Sequence, residues 1–350
     1  MNKTFNIFSD VHLEPWDHSN PWTKGIGGSE VCHIELVERL AKRGHRVNSF
    51  SPLPPNIKAL PNWKHFNEAN PRSSGNWIVF RNPAFFDQKL NPKNEYIFVA
   101  QDVDYPWTPE QLKKVSKYVC LCQDHKVYTL NKYPQLGERV VVTSNGIRKE
   151  IIEQVEKENI PRNPNKIIYA SSPDRGLELI LSNWFRVIER VPSAELHIFY
   201  GFNNVETLAK RVGGWYATYP DKLGQMMNQP GVKFRGRLGQ MELYREWFSS
   251  NIWWYPTNWP ETSCITSLDA QSCGAIPVTN NYWAVGENVK HGYLTPSIPQ
   301  DCALMKLKQI DYVCDLLKNP NIPWRTEMMT EARSTFDWEN FVSDYESWGK

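Results

Sequence analysis

Two carboxylates eight positions apart, Glu261 and Asp269, have the types and spacing to do chemistry. The apolar run from Ile252 to Tyr255 before them predicts a buried strand, and Gly274 predicts the end of the helix that follows. In a strand–loop–helix unit the loop lies at the carboxyl end of the sheet, where unpaired amides and the helix dipole favour a bound anion. Because eight residues span about two helical turns, Asp269 could face the same site as Glu261.

This segment resembles the donor site of nucleotide-sugar glycosyltransferases with the GT-B fold, and most of all retaining family 4, whose signature has two glutamates separated by seven residues. In that family the first glutamate binds sugar hydroxyls and the second binds the ribose, which implies these roles for Glu261 and Asp269. The resemblance also places the amides of Ser263, Cys264 and Ile265 at the donor diphosphate. Asp269 is a departure, because its side chain is shorter than glutamate. A helix cap at Glu261 and a solvated Asp269 are the alternative.

A glycine-rich segment at residues 24–30, Lys-Gly-Ile-Gly-Gly-Ser-Glu, predicts a second loop before a helix. Gly27 and Gly28 would let backbone amides approach a phosphate at that helix start, although such glycines also serve ordinary tight turns. The segment resembles the Gly-Gly-x-Glu loop of the same family, and residues 43–47, Arg-Gly-His-Arg-Val, match the strand entry that follows it. The resemblance implies that this loop lies across a cleft from the nucleotide diphosphate.

Polar residues also follow the predicted strand Tyr96–Val99. The family has His-Asp at this place, where the chain has Gln101 and Asp102. Gln101 cannot titrate, so it cannot relay a proton, but its amide could bind a hydroxyl. Asp102 and Asp104 are then candidates to bind or deprotonate an acceptor hydroxyl, and solvated acids at a strand end are the alternative. Aromatic faces that could stack on an acceptor sugar in this region are Trp16, Trp22 and Tyr105.

Cations for the donor diphosphate are expected on the loop that opens the second domain. The family usually carries an arginine and then a lysine before glycine, whereas this chain has Ser171 near the first place and Arg175 before Gly176 at the second. One arginine could suffice, since its guanidinium binds phosphate oxygens in a fork. Arg237 is a second candidate contact. A surface salt bridge at Arg175 and a solvated Arg237 are the alternatives.

The alternation of predicted strands and helices predicts an α/β fold with parallel sheets. The resemblance implies two facing Rossmann-like domains, with the terminal helix crossing back to the first. We expect an N-terminal acceptor-binding domain at 1–152, a linker at 153–166 rich in charge, asparagine and proline, a donor-binding domain at 167–325, and a terminal helical segment at 326–350.

Composition limits the other possibilities. The 350 residues include 40 basic and 38 acidic residues, a net charge of +2, which does not favour nucleic acid or an anionic membrane as the main partner. The apolar runs are too short for a transmembrane segment. Seven cysteines without metal-like pairs predict a reduced, cytoplasmic protein rather than a disulfide framework. No His or acid cluster has metal-ligand spacing, so no metal or other cofactor is expected.

The resemblance therefore implies an enzyme that moves a sugar from a nucleotide-sugar co-substrate, such as a UDP- or GDP-sugar, to a hydroxyl of a carbohydrate-containing acceptor with retention of configuration. Glu261, Gln101 and Asp102 are the expected catalytic residues. A nicotinamide-dependent oxidoreductase is disfavoured, because no Gly-x-Gly-x-x-Gly follows the first strand. A non-catalytic sugar or nucleotide-sugar binding protein stays open, because Gln101, Ser171 and Asp269 depart from the family pattern.

Overall fold

Seven strands in the first half of the described chain form one parallel sheet. The structure is a computed structural model that describes residues 2–12, 14–55, 57, 60–296 and 303–350. The strands are β1 (Thr4–Ser9), β2 (Arg46–Ser51), β3 (Trp63–His65), β4 (Asn76–Phe80), β5 (Tyr96–Val99), β6 (Lys117–Cys120) and β7 (Val140–Val142). Their order across the sheet is β3-β2-β1-β4-β5-β6-β7, and every adjacent pair is parallel.

A second parallel sheet follows in the described residues of the later part of the chain. Its strands are β8 (Asn163–Tyr169), β9 (Glu195–Phe199), β10 (Val232–Gly236), β11 (Ser250–Tyr255), β12 (Ile276–Asn281) and β13 (Tyr293–Pro296). They lie in the order β10-β9-β8-β11-β12-β13. Both sheets thus repeat the strand order 3-2-1-4-5-6 of doubly wound Rossmann folds, so the predicted α/β fold class is confirmed.

Helices connect the strands, as right-handed parallel crossovers require. Among the described residues they are α1 (Asn20–Thr23), α2 (Gly28–Lys42), α3 (Pro109–Lys113), α4 (Gln123–Lys132), α5 (Lys149–Glu156), α6 (Leu177–Arg190), α7 (Asn203–Val212), α8 (Trp215–Met226), α9 (Gln240–Ser249), α10 (Ile265–Cys273), α11 (Trp283–Asn288), α12 (Ala303–Lys318), α13 (Arg325–Thr335) and α14 (Trp338–Trp348). No helix of the described residues is both long enough and apolar enough to cross a membrane.

Strands β4 and β5 of the first sheet are buried on both faces, which explains their nearly continuous apolar sequences. Because successive side chains of a strand point to opposite faces, Ile97 and Val99 of β5 belong to one apolar cluster, whereas Tyr96 and Phe98 belong to another. The first cluster also contains Trp338, Val342 and Tyr345 of α14. The terminal helix therefore completes the core of the first sheet, as expected.

Residue contacts divide the chain into two units at positions that differ from the expected domain limits. Unit 1 comprises residues 1–21, 26–146 and 336–350, and unit 2 comprises residues 22–25 and 147–335. Much of the expected linker at 153–166 is regular structure, because α5 covers its start and β8 begins at Asn163. The expected terminal segment at 326–350 is also divided, since α13 belongs to unit 2 and α14 to unit 1.

Candidate functional site

In unit 2 the strand order reverses between β8 and β11, which are paired in parallel. Open α/β sheets bind ligands at such a point, beyond the carboxyl ends of the strands, because the loops diverge there and leave a crevice. The loop after β8, residues 170–176, carries Arg175, and the loop after β11, residues 256–264, carries Glu261. The topology therefore brings together these two residues, which lie far apart in the sequence.

A glycine holds these two loops against each other. Gly176 has a φ of 121°, and a Cβ there would lie 2.4 Å from the carbonyl oxygen of Pro256. Only glycine fits both the backbone angle and this close approach. The resulting contact fixes the end of the Arg175 loop against the start of the Glu261 loop.

Glu261 is half-buried, and the hydroxyl of Tyr255 donates a hydrogen bond to its Oε1 at 2.6 Å. Burial raises the pKa of Glu261 above its usual value, whereas the Tyr255 hydrogen bond and the charge of Arg175 oppose that rise. The loop around it is braced, because the amide of Ala284 donates to the Glu261 carbonyl oxygen at 3.1 Å. The site thus holds a carboxylate that can accept hydrogen bonds from hydroxyl groups.

Arg175 lies over an aromatic ring. Its guanidinium carbon is 3.4 Å from the ring centroid of Trp259, a residue of the Glu261 loop that is 41% exposed. The Nη1 atom lies 3.5 Å from Oδ2 of Asp174, and this buried nitrogen has no hydrogen-bond partner among the described residues. A buried donor without a partner is costly, so an oxyanion that accepts from it would bind favourably.

Helix α10 begins directly after this loop, at a strained residue. Cys264, which precedes the helix, has a left-handed backbone conformation with a φ of 57°, and its side chain forms no cap. Ser263 is 4% exposed, and its hydroxyl has no hydrogen-bond partner among the described residues, whereas its carbonyl oxygen accepts from Asn288 at 2.6 Å. The amides at Ile265 therefore open a helix whose start suits an anion.

Asp269 lies inside the protein rather than on an open face of α10. It is 5% exposed, and its carboxyl group accepts a hydrogen bond from Tyr244. Burial raises the pKa of Asp269 to about 7, against this hydrogen bond. Its expected contact with a ribose stays a prediction. Arg237, the other expected donor contact, lies beyond β10 with its guanidinium carbon 5.7 Å from the ring centroid of Tyr200.

In unit 1 Asp102 takes part in a hydrogen-bond network after β5. Arg81, at the end of β4, donates from Nε and Nη2 to the two carboxylate oxygens of Asp102, at 2.7 and 3.1 Å. Tyr105 is 5% exposed; its hydroxyl accepts from the amides of Gln101 and Asp102 and donates to Asp102 at 3.1 Å. Gln101 also accepts from the side chain of Asn145 at 3.4 Å. Asp102 is thus oriented by an arginine, and Tyr105 supports the loop rather than presenting a stacking face.

Asp104 and the glycine loop are the other expected site residues of unit 1. Asp104 forms an ion pair with Lys132. Gly27 precedes α2, and a Cβ at Gly27 would lie 2.4 Å from Oε2 of Glu30, so that carboxylate folds back over the helix start. Gly28 is the first residue of α2. The acceptor-binding role expected for Asp104 and the donor-binding roles expected for Gly27 and Gly28 stay predictions.

Trp16 does not provide the expected stacking surface. It is 1% exposed and packs in the core of unit 1, with ring centroids 5.1 Å from His33 and 6.2 Å from Trp63. The indole is apolar enough to be more stable in that core than in water. Trp22 clusters with unit 2, not unit 1, and its ring lies 4.2 Å from the guanidinium carbon of Arg148.

Sequence reasoning missed Tyr255, Trp259 and Arg81, which contact the expected site residues. Tyr255 had a usable signal, since it is the last residue of a predicted buried strand and so lies at the carboxyl edge of the sheet. Arg81 has the same signal, since it directly follows the apolar strand β4. Trp259 had none, because its stacking on Arg175 depends on two loops that only the fold brings together. Among the described residues, no group of three His, Cys, Asp or Glu side chains could hold a metal ion.

Comparisons with known proteins give structural relatives but no sequence family. No protein-family model and no curated protein matches the chain. Its structure is similar to that of a sucrose-phosphate synthase from Thermosynechococcus elongatus, with a TM-score of 0.70, 14% identity, and coverage of 99% of this chain and 98% of that one. A glycosyltransferase from Rickettsia africae gives a TM-score of 0.71 at 14% identity, with the same coverage.

A third similar structure, HepE from Anabaena in complex with UDP and glucose, has a TM-score of 0.64 at 13% identity and covers 99% of both chains. At these identities the similarity establishes the fold. Both the strand orders and these relatives show the GT-B fold of glycosyltransferases, with two Rossmann-like parallel-sheet units.

Proposed function

We propose that this chain is a glycosyltransferase that moves a sugar from a nucleotide-sugar donor to an acceptor hydroxyl. The observation that carries the proposal is the meeting of Arg175 and Glu261 at the switch point of unit 2, where α/β sheets bind ligands. The GT-B fold adds support, since HepE is known in complex with UDP and glucose.

The donor half of the reaction follows from the charges at this point. As the bond between the sugar and the diphosphate breaks, negative charge grows on the leaving phosphate. Arg175 and the amides at the start of α10, from Ser263 to Ile265, would stabilise that charge. We propose that no metal ion is needed, because a fixed guanidinium and a helix start already supply positive charge there.

Glu261 would bind the sugar rather than the diphosphate. The charge of Arg175 reduces the repulsion between the Glu261 carboxylate and a phosphate. The carboxylate oxygens can only accept hydrogen bonds, so they suit donors such as sugar hydroxyls. Asp269 would bind the ribose, and Arg237 would add a phosphate contact. We propose these roles from the resemblance to retaining family 4 and from the places of these residues after β10 and β11.

The acceptor half is proposed for unit 1, with Gln101, Asp102 and Asp104 as its polar residues, and Gly27 and Gly28 are proposed to bind phosphate. The Arg81 pair orients Asp102 to accept from an acceptor hydroxyl. We further propose retention of configuration, with the leaving phosphate oxygen taking the acceptor proton as the new glycosidic bond forms. A covalent intermediate would need a nucleophile, and no residue named here is placed for that role.

The test is incubation of the protein with labelled UDP-, ADP- and GDP-sugars, with release of nucleoside diphosphate as the readout. An enzyme releases nucleoside diphosphate slowly even without acceptor, by hydrolysis, and release should persist in EDTA. Glu261→Gln should lower release at least about 10-fold while nucleoside diphosphate binding stays nearly intact. Wild-type release in that variant would remove Glu261 from the site.

A non-catalytic binding protein on the same fold is the second candidate. The substitutions at Gln101, Ser171 and Asp269 favour it, because each departs from the family pattern. This candidate predicts that a nucleotide sugar protects the protein against heat or proteolysis with no release of nucleoside diphosphate from any of the sugars.

A further inference from the structure

Resting on the proposed transfer function, we propose that Ser171 and Tyr255 form a hydrogen-bond chain that orients the Glu261 carboxylate toward the donor sugar. Tyr255 acts here as a positioning residue, since it reaches the substrate only through Glu261. The chain would give Ser171 a task different from that of the arginine that resembling enzymes carry near this place.

The direction of the chain follows from its protons. The Tyr255 hydroxyl donates to Oε1 of Glu261 at 2.6 Å, and Oγ of Ser171 lies 3.3 Å from the same hydroxyl oxygen. A tyrosine hydroxyl has a single proton, and Tyr255 donates this proton in its hydrogen bond to the Glu261 carboxylate. Ser171 must therefore be the donor to Tyr255. The three groups form one directed chain from Ser171 through Tyr255 to Glu261.

Packing fixes the position of Tyr255, the middle residue of this hydrogen-bond chain. Tyr255 is fully buried, its ring is stacked on Trp253 with centroids 5.1 Å apart, and the ring of Tyr169 lies 5.8 Å away. Tyr169 is fixed in turn, because its hydroxyl donates to the carbonyl oxygen of Ser172 at 2.7 Å. Residues held this way by packing keep a partner within the narrow limits that catalysis requires.

The hydrogen-bond chain lies at the switch point, where its last member, Glu261, would bind the sugar rather than the diphosphate. Ser171 follows β8 and Tyr255 ends β11, the two strands that meet at the switch point. With Oε1 held by Tyr255, the other carboxylate oxygen of Glu261 is presented to a sugar hydroxyl. Arg175 and Asp174, on the loop after β8, are the other charged groups that act on Glu261. The diphosphate would be bound by Arg175 rather than by this hydrogen-bond chain.

Tyr255→Phe tests the chain, because it removes the hydroxyl and keeps the ring. Affinities are measured by calorimetry for UDP-, ADP- and GDP-glucose and for UDP, ADP and GDP. We expect Tyr255→Phe to weaken nucleotide-sugar binding about 10-fold while nucleoside diphosphate binding is unchanged, as for one lost hydrogen bond to a charged group. Ser171→Ala should have a smaller effect in the same direction, and Ser171→Thr, which keeps a hydroxyl, should restore wild-type affinity.

A pH series adds a readout that a purely structural role would not change. Loss of the Tyr255 hydrogen bond removes one effect that lowers the pKa of Glu261. The loss of sugar-dependent affinity on acidification should therefore begin at higher pH in Tyr255→Phe. Tyr96→Phe is the matched control: Tyr96 is 3% exposed in unit 1, and its hydroxyl donates to the carbonyl oxygen of Pro71 at 2.7 Å. It should lower thermal stability without changing the affinities.

The possible outcomes test the hydrogen-bond chain and the proposed transfer function separately. If Tyr255→Phe keeps both the wild-type affinity for the nucleotide sugar and the wild-type pH dependence, the chain has no positioning role, whereas the transfer function stands. If the wild-type protein binds none of the six nucleotides, both proposals fail. Should Tyr255→Phe not fold, the half-buried Ser171→Ala gives the deciding comparison, and an unchanged affinity in that variant overturns the chain.

Discussion

At the scale of single residues, Arg175 carries the positive charge of the candidate site. It is the only lysine or arginine in the two loops at the switch point, residues 170–176 and 256–264. Trp259 holds its guanidinium by a cation–π contact, and the buried Nη1 atom has no hydrogen-bond partner among the described residues. A phosphate oxygen would supply that partner, so we expect the diphosphate to bind here.

Arg175→Ala should weaken the binding of a nucleoside diphosphate by about 1 to 3 kcal/mol, because a charged hydrogen bond is lost. Titration of UDP, ADP and GDP against the variant measures the change. The matched control is Arg186→Ala, an exposed arginine on α6 outside both loops, which should leave the affinity unaltered. Equal affinities for Arg175→Ala and the wild type would place the cation elsewhere.

Asp269 makes a prediction about stability and pH. Its pKa is raised from 3.8 to about 7 because the carboxylate is buried, so the folded protein holds a proton that the unfolded chain releases. This group therefore lowers stability as pH rises through the range from 3.8 to about 7. Asp269→Asn removes the effect. The unfolding free energy of this variant minus that of the wild type should therefore become more positive between about pH 4.5 and about pH 7.5.

Denaturant unfolding of both proteins at the two pH values measures this difference. A constant difference across that range would show that the carboxyl group of Asp269 is ionised in the folded protein at the lower pH as well. Such a result would also favour a solvated acid at this position over a buried one.

At the scale of the elements, short loops tie the ends of strands and helices together by close backbone contact. Gly146, after β7, is one such position: a Cβ there would lie 2.8 Å from Cα of Trp338 and 2.9 Å from the carbonyl oxygen of Phe336. The start of α14 thus rests on the backbone of Gly146. Ion pairs to Glu339 from Arg39 of α2 and from Arg43, the residue after α2, hold the same helix.

Gly146→Ala should therefore destabilise unit 1 by about 1 to 3 kcal/mol, because the methyl group overlaps backbone atoms that cannot move freely. Gly224→Ala is the control. Gly224 lies within α8, and a Cβ there would meet no neighbouring atom within 4 Å, so this change should be neutral or stabilising. The melting temperatures of the two variants are compared by thermal unfolding. Equal melting temperatures would contradict the close contact between Gly146 and the start of α14.

Several elements were predictable from the sequence because their signals are local. The strand Tyr96–Val99 has the predicted bounds, and the helix before Gly274 ends there because that glycine adopts a left-handed conformation, with a φ of 84°. The terminal segment at 326–350 was predicted as one helical segment. The structure divides it, because Asp337 caps a new helix by accepting from the amide of Glu339 at 3.0 Å.

The candidate site was predictable only in part, because its contacts are not local. Glu261 and Arg175 could be identified because the loops that carry them resemble those of the glycosyltransferase family. Nothing in the sequence signals that Tyr255 donates to Glu261 or that Arg81 pairs with Asp102, since those contacts depend on which strands are neighbours. Trp16 was misread for the same reason: its core partners, His33 and Trp63, lie on other elements.

At the scale of the whole molecule, the same strand order occurs in both units, and each order creates a switch point. In unit 1 the loops after β1 and β4 lie at that point, and Arg81 and Asn82 there bind the acids Asp102 and Asp10. In unit 2 the corresponding loops carry Arg175 and Glu261. The division of roles proposed here, with the donor on unit 2 and the acceptor on unit 1, rests on the resemblance to retaining family 4.

The central claim is that unit 2 binds a nucleotide sugar where β8 and β11 part, with Arg175 on the diphosphate and Glu261 on the sugar. The most direct measurement is a crystal structure of the protein with a nucleotide sugar, chosen from the UDP-, ADP- and GDP-sugars by binding affinity. We expect phosphate oxygens within hydrogen-bond distance of the Arg175 guanidinium and the first amides of α10, and a sugar hydroxyl on the Glu261 carboxylate. A nucleotide bound away from these loops, or a sugar that does not contact Glu261, would contradict the account.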